Sequence, residues 1–277
     1  MKLLLVIAQR ASLFAAILFG ACGAALAQTV MITGANSGIG LEFAKQYVAK
    51  GWNIIATHRR SQTPATLAEL AAQYGKLRVE RLDVTNPDEV NALAEKLKNT
   101  PIDVLINNAG VYNDRSKCAA EDEACPGDWT TQTVGKFDWK LFDVIMAVNV
   151  KGPLIVTQAF LPNVKASAQK KIIAISSSNG SLTGEQSPRG GAVFYRTSKA
   201  ALNREMQLTA STLREDGVTV VMFNPGPTLT ERQSYLKGNP TMITTAFTVA
   251  NMIKTIDKVT IKDTGRFLRY DGEVEPW

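Results

Sequence analysis

Short apolar runs alternate along this chain with longer segments whose apolar residues recur every three or four positions. Residues 30–33 are a brief buried-type run that ends in glycines. Residues 41–50 follow with Phe43, Tyr47 and Val48 at helical spacing, and Gly51 closes the pattern. The alternation repeats. Residues 53–57, 77–82, 104–107, 172–175 and 218–223 read as further strands, and residues 63–74, 87–98, 138–166 and 195–215 as helices between them. Pro153 falls inside the long helix, so a kink is predicted there. Strand–helix alternation of this kind predicts an α/β chain with a single doubly wound parallel sheet. Such sheets bind ligands beyond the carboxyl ends of their strands.

Two patterns sit at such ends. Thr33-Gly-Ala-Asn-Ser-Gly-Ile-Gly40 joins the first strand to the first helix. In that setting Gly34 permits a tight turn, Gly38 lets the backbone approach a pyrophosphate, and Gly40 lets helix and strand pack closely. The following helix N-terminus offers N–H groups to an anion, which makes Asn36, Ser37 and Ile39 candidate contacts as well. Tyr195 and Lys199 are four residues apart and share one helix face. A free tyrosine ionises near pH 10, and an ammonium about 4 Å away would lower that by roughly 3 units.

Together these residues resemble the short-chain dehydrogenase/reductase family, marked by T-G-x-x-x-G-x-G and Y-x-x-x-K. The resemblance spans residues 29–277, and further family motifs occur in order: Leu82-Asp-Val-Thr85, Asn107-Asn-Ala-Gly110, Val148-Asn-Val150, Ile175-Ser-Ser177 and Asn224-Pro-Gly226. The ending from Gly265 to Trp277 is similar to the small carbonyl-reductase branch that includes the C-factor and sniffer proteins. The resemblance implies a Rossmann fold and hydride transfer between a nicotinamide and a small carbonyl or alcohol. It implies Tyr195 as acid/base, Lys199 as the group that lowers its pKa and holds the nicotinamide ribose, and Asn149 as the holder of a relay water. Ser177, the second serine of the I-S-S element, would bind the carbonyl, while Ser176 and Ser178 satisfy backbone groups. Asp83 and Val84 would meet adenine, Asn108 the adenine ribose, and Thr228 and Thr230, after Pro225 and Gly226, the carboxamide. Arg196 and Ser198 lie on other helix faces and need no catalytic role.

Cofactor choice is read after the second strand. Thr57-His-Arg-Arg60 offers guanidinium groups where NAD-preferring relatives carry an acid, so NADP is expected over NAD, with Arg59 on its phosphate. Ser37 departs from the basic residue common in NADP-dependent relatives, and His58 reads as a solvated strand-end residue. The alternatives are a non-catalytic NADP-binding or signalling protein on the same fold, or a nucleotide-sugar epimerase. The epimerase is disfavoured by the glycine spacing and the short stretch after Gly226. Turnover on aldehydes and ketones separates the first alternative. Residues 228–242 should form a short lid over the substrate.

Composition adds compartment. A charge of +6 without a basic run excludes a nucleic-acid partner, and 45% hydrophobic with 20% charged residues suits one globular domain of residues 28–277, alone or as a homodimer or homotetramer. Residues 1–27 read as a signal peptide with Ala25-Leu-Ala27 at its cleavage site, which would export the protein to a periplasmic, lumenal or extracellular space. An uncleaved membrane anchor is the alternative. Cleavage would remove Cys22 and leave Cys118 and Cys125 in a polar insert at 113–136. These are either bridged or free, and with one histidine in the chain no metal site is expected.

Overall fold

The computed structural model describes residues 27–113, 115, 127–183 and 191–277. The readings of residues 1–26 and of Cys118 and Cys125 lie outside the described residues. In chain order the elements are β1 Thr29–Ile32, α1 Gly38–Ala49, β2 Asn53–His58, α2 Ala65–Gln73, β3 Leu77–Arg81, α3 Pro87–Lys96 and β4 Val104–Asn107. Then come α4 Trp139–Met146, α5 Gly152–Lys165, β5 Lys171–Ile175, α6 Val193–Leu213, β6 Thr219–Asn224, β7 Thr228–Leu229, β8 Ile243–Thr244, α7 Thr245–Lys258 and β9 Phe267–Arg269. Seven strands form one parallel sheet in the order β3-β2-β1-β4-β5-β6-β9. This is a doubly wound α/β Rossmann sheet.

The strands are apolar on both sides because helices cover both faces. Along β1, Val30 and Ile32 face a layer built with Phe43 and Tyr47 of α1, Leu67 of α2 and Met252 and Ile256 of α7. Met31 faces the opposite layer, with Val90 of α3, Val156 and Phe160 of α5 and Leu202 and Met206 of α6. Local chemistry fixes the helix starts. Asn86 accepts from the Asp88 and Glu89 N–H groups at the head of α3, with Pro87 as its first residue.

Besides the short β7–β8 pair, three features differ from the sequence reading. The seventh strand, β9, was not predicted. It is three residues long, shorter than periodicity can show, and pairs with β6 between Gly265 and Gly272. Helix α7, with Thr244 capping the Phe247 N–H, was also not foreseen. The helix expected over 138–166 is divided by a π-helical turn at Ala147–Lys151, in which the Gly152 N–H reaches the Ala147 carbonyl five residues back. The break falls upstream of the predicted kink at Pro153. Proline has no N–H for the Asn149 carbonyl four residues before it, and its ring crowds that carbonyl, so the preceding turn widens.

The strand order reverses between β1 and β4, and their outgoing loops are stitched together there. The Thr33 N–H donates to the Ile106 carbonyl at 3.0 Å, and the Thr33 hydroxyl accepts from the Asn108 and Ala109 N–H groups at 3.0 Å each. The Asn108 side chain donates to the carbonyls of Thr33 at 2.9 Å and Gly34 at 3.0 Å. Gly34 has φ +65°, and a Cβ there would lie 2.9 Å from the Ala109 Cα. A Cβ at Gly40 would lie 2.4 Å from both the Gly34 carbonyl oxygen and the Asn108 Nδ2.

Gly40→Ala should therefore destabilise the fold by about 2 kcal/mol or more, because the stitch must open to admit a methyl group. Urea denaturation measures it, and an unchanged midpoint would contradict the close approach.

Candidate functional site

The candidates come from the loops after β1, β4, β5 and β6, from the π-turn and from the first turns of α6, with Arg59 following β2 and Asp83 and Val84 following β3. β5 leads into Ser176, whose hydroxyl donates to the buried Asn203 Oδ1 at 2.6 Å and is thereby turned into the core. The Ser177 hydroxyl accepts from the Asn179 N–H at 3.2 Å and lies close enough to the Tyr195 phenol to act on its ionisation. From the first turns of α6, Tyr195 and Lys199 reach this end of β5, with the Lys199 ammonium 5.7 Å from the Tyr195 ring centroid. That ammonium donates to the Ile175 carbonyl at 2.8 Å.

Lys199 does not depress the Tyr195 pKa as the spacing suggested. Burial pushes Tyr195 up to about 12 against the lowering effect of the Ser177 hydrogen bond, and the neighbouring Tyr112 adds to the rise. Lys199 is buried too, and burial alone pulls its amine from 10.5 down to about 8. Desolvation dominates both shifts because both groups lose water on folding.

Asn149 lies in the π-turn and is buried. Its side chain accepts from the Val111 N–H at 2.8 Å and donates to the Val111 carbonyl at 2.8 Å and the Ser198 hydroxyl at 3.0 Å. Ser198 in turn donates to the Tyr195 carbonyl at 2.7 Å. Ser198, set aside by helix-face reasoning, thus connects Asn149 to the backbone of Tyr195. Its side chain is fully buried, on the face of α6 that packs beside the π-turn. Sequence reasoning also missed Tyr112, whose ring meets that of Tyr195 edge-on with centroids 4.5 Å apart. It missed Gln132 as well, whose side chain contacts the backbone of both tyrosines. A Tyr two residues after the Asn107-Asn-Ala-Gly110 turn was the available signal for Tyr112. Nothing in the spacing signalled Gln132.

At the other end of the crevice, Ser37 is the extended N-cap of α1 and the Asn36 amide donates to its hydroxyl at 3.4 Å. Ile39 packs against the core beneath the turn. The Gly38 N–H donates to the Glu231 carboxylate at 2.9 Å, and Thr230 lies against Gly38. The segment expected to form a lid therefore touches the glycine turn through Thr230 and Glu231. Its base is the two-strand ribbon of β7 and β8, and Thr228 is engaged internally with the Pro225 carbonyl at 2.8 Å and the Thr248 hydroxyl at 3.0 Å. The Gly226 N–H is held by Asn224 at 3.0 Å. Asp83 folds back on Thr85, accepting from its N–H at 2.9 Å and its hydroxyl at 2.7 Å, and Val84 packs against Gly152. The Asn108 amide hydrogens go to the stitch.

Arg59 is exposed just beyond β2, with Arg60 half-buried beside it. His58 is a correction: it is buried within β2, and burial, then Arg81 and Arg60, lower its pKa. Its Nδ1 has no hydrogen-bond partner among the described residues. An extended anionic nucleotide fits this groove. Gly34 and Gly40 give a closely packed turn, guanidinium groups stand at the far end beside an unpaired buried ring nitrogen, and at the α1 N-terminus the Gly38 N–H holds the Glu231 carboxylate, an anion that a pyrophosphate there would replace.

Residues 28–240 match the family model for short chain dehydrogenases. The chain is 32% identical over 188 residues to the C-signal protein of Myxococcus xanthus, covering 68% of this chain and 100% of that one. It is 30% identical over 251 residues to the 1-hydroxy-2-glutathionyl-2-methyl-3-butene dehydrogenase of Rhodococcus sp. strain AD45, covering 90% of this chain and 99% of the relative. Among solved structures, the NADPH-bound carbonyl reductase from chicken fatty liver superposes with a TM-score of 0.79 at 31% identity, covering 91% of this chain and 99% of that one. With the sheet order, the glycine turn and the Tyr195–Lys199 helix all in place, the chain belongs to the short-chain dehydrogenase family and is an NAD(P)-dependent oxidoreductase.

Proposed function

We propose that the protein is an NADP-dependent reductase of small carbonyl compounds, with Tyr195 as the proton donor. The observation that carries this reading is the gathering of Tyr195, Lys199 and Ser177 at the end of β5, with the Lys199 ammonium 5.7 Å from the Tyr195 ring and bonded to the Ile175 carbonyl at 2.8 Å. With its pKa near 12, Tyr195 is protonated at neutral pH, which is the state that carbonyl reduction requires of an acid. Bound NADPH would supply the hydride. Ser177 and Tyr195 would hold the carbonyl oxygen between them, and the tyrosine proton would pass to that oxygen as the alcohol forms. Lys199 then faces the phenolate with a positive charge, since an amine with a pKa of about 8 is mostly protonated at pH 7. Asn149 spends its side chain on Val111 and Ser198. Its main-chain carbonyl, denied an α-helical donor by Pro153, is the group that would hold a relay water.

The glycine turn and α1 N-terminus would hold the pyrophosphate and Arg59 the 2′-phosphate, with Asp83 and Val84 near the adenine and Thr230 on the lid side. The NADPH in the chicken reductase supports this choice, as does the cationic end of β2.

Tyr195→Phe should lower kcat by about 100-fold or more while the NADPH dissociation constant stays within about twofold. Turnover close to the parent would reject Tyr195 as the acid. Arg59→Glu should weaken NADPH binding at least about 10-fold more than NADH binding, measured by fluorescence titration. Equal losses for the two cofactors would reject Arg59 as the phosphate ligand.

Lys199 also sets a pH dependence of stability. Folding lowers its pKa from 10.5 to about 8, so the unfolded chain binds more protons across that interval. The contribution of this group to stability therefore rises with pH from about 8 to 10.5, and its burial cost, about 3 kcal/mol, is in full force below 8. Lys199→Met should be stabilised relative to the parent at neutral pH, with the gap closing as pH rises through that window. A gap that stays constant with pH in urea titrations would show that the amine is not desolvated.

A further inference from the structure

Helix α6, which carries Tyr195 and Lys199, begins without a usable cap. Its N-cap position is Ala192, which has no side-chain acceptor and sits in the left-handed region at φ 52°. The first intrahelical bond runs from the Arg196 N–H to the Ala192 carbonyl at 2.9 Å, so the Tyr195 N–H is the last donor of the first turn that the helix itself cannot satisfy. A serine or aspartate at position 192 in extended backbone would ordinarily accept from that N–H.

The acceptor comes from 63 residues away. Gln132 ends a single 3-10 turn, Thr130–Gln132, in the polar insert between β4 and α4, and its side chain is wholly buried. Its Oε1 accepts from the Tyr195 N–H at 2.9 Å. Its Nε2 donates to the Tyr112 carbonyl at 2.7 Å and to the Asn113 Oδ1 at 3.4 Å. One amide therefore joins the backbones of two tyrosines whose rings meet edge-on. The same insert makes a second contact with the entry to α6, where the Trp129 ring lies so close to Gly191 that a Cβ there would be 3.1 Å from it. Fixing the Tyr195 backbone at this point fixes where its phenol stands relative to Ser177, because the ring pivots from that Cα.

We propose that Gln132 is a positioning residue for Tyr195, a remote cap through which the insert sets the geometry of proton transfer. This rests on Tyr195 being the proton donor. Gln132→Met keeps the length of the side chain and removes all three of its hydrogen bonds. It should lower kcat about 10-fold or more while the NADPH dissociation constant stays within about twofold, since the glycine turn is untouched. Gln132→Glu keeps an acceptor for the Tyr195 N–H in either protonation state and should restore most of the lost turnover. If Gln132→Met does not fold, Gln132→Asn carries the test, because it stays polar yet draws the acceptor back by one methylene and should reproduce the loss of kcat. Parent-like turnover in Gln132→Met or Gln132→Asn would overturn the proposal. So would a Glu variant as slow as the Met variant, or a loss of cofactor affinity in step with kcat. Tyr195→Phe, assayed alongside, separates the two ideas. An active Phe variant removes the acid itself, whereas an inactive Phe variant beside an active Met variant removes only the role of Gln132.

Discussion

Two neighbouring parallel strands whose connections leave to opposite sides create a physical problem at their carboxyl ends. The loops must part to make a crevice, and parting strips backbone N–H and C=O groups of partners. At β1 and β4 the problem is solved by Thr33 and Asn108, whose side chains between them accept two N–H groups and donate to three carbonyls across the gap. The rest of the site depends on this joint. It fixes the glycine turn on one side, and on the other the Asn107-Asn-Ala-Gly110 turn that leads to Val111 and Tyr112. Val111 is in turn the residue Asn149 grips from the π-turn, and Asn149 passes the constraint through Ser198 to α6.

The resulting site is rigid by hydrogen bonding and poor in compensation for charge. Among the described residues no carboxylate offsets the burial of Lys199, whose bond is to a main-chain carbonyl. An ammonium without an acid beside it keeps its field directed at whatever negative charge develops on the tyrosine oxygen. A salt bridge would neutralise that field. On the proposed mechanism, function opposes stability in this single side chain, a pattern common at sites built for chemistry.

Much of this was legible in the residues. Buried strands announce themselves as continuous apolar runs, and the glycine turn is readable because strand, turn and helix occur in sequence. Tyr195 and Lys199 are local, four positions apart on one helix. What was not legible is what depends on partners distant in sequence. Whether Tyr195 is raised or lowered turns on burial, which a spacing does not contain. His58 was read as a solvated strand end, yet the strand runs on to include it and carries it into the interior. The side chains of Asn108 and Asn149 bond backbone groups 74 and 38 residues away, partners that no local motif contains. The weak strand β9 is defined by its pairing with β6, since three residues have no periodicity of their own.

The π-turn at Ala147–Lys151 has a consequence for how this chain can change. A five-residue turn holds one residue more than an α-helical closure needs, and each residue in a helix accounts for about 100° of rotation and 1.5 Å of rise. Deleting a single residue there would let α4 and α5 merge into a continuous helix. It would also turn Val156, Phe160 and Val164 away from the sheet, or else swing Asn149 off Val111. Substitutions along this helix are absorbed side chain by side chain, whereas its residue count is not adjustable. Variation in length among functional descendants of this sequence should therefore fall in the insert ahead of α4 and spare the stretch from Trp139 to Lys165.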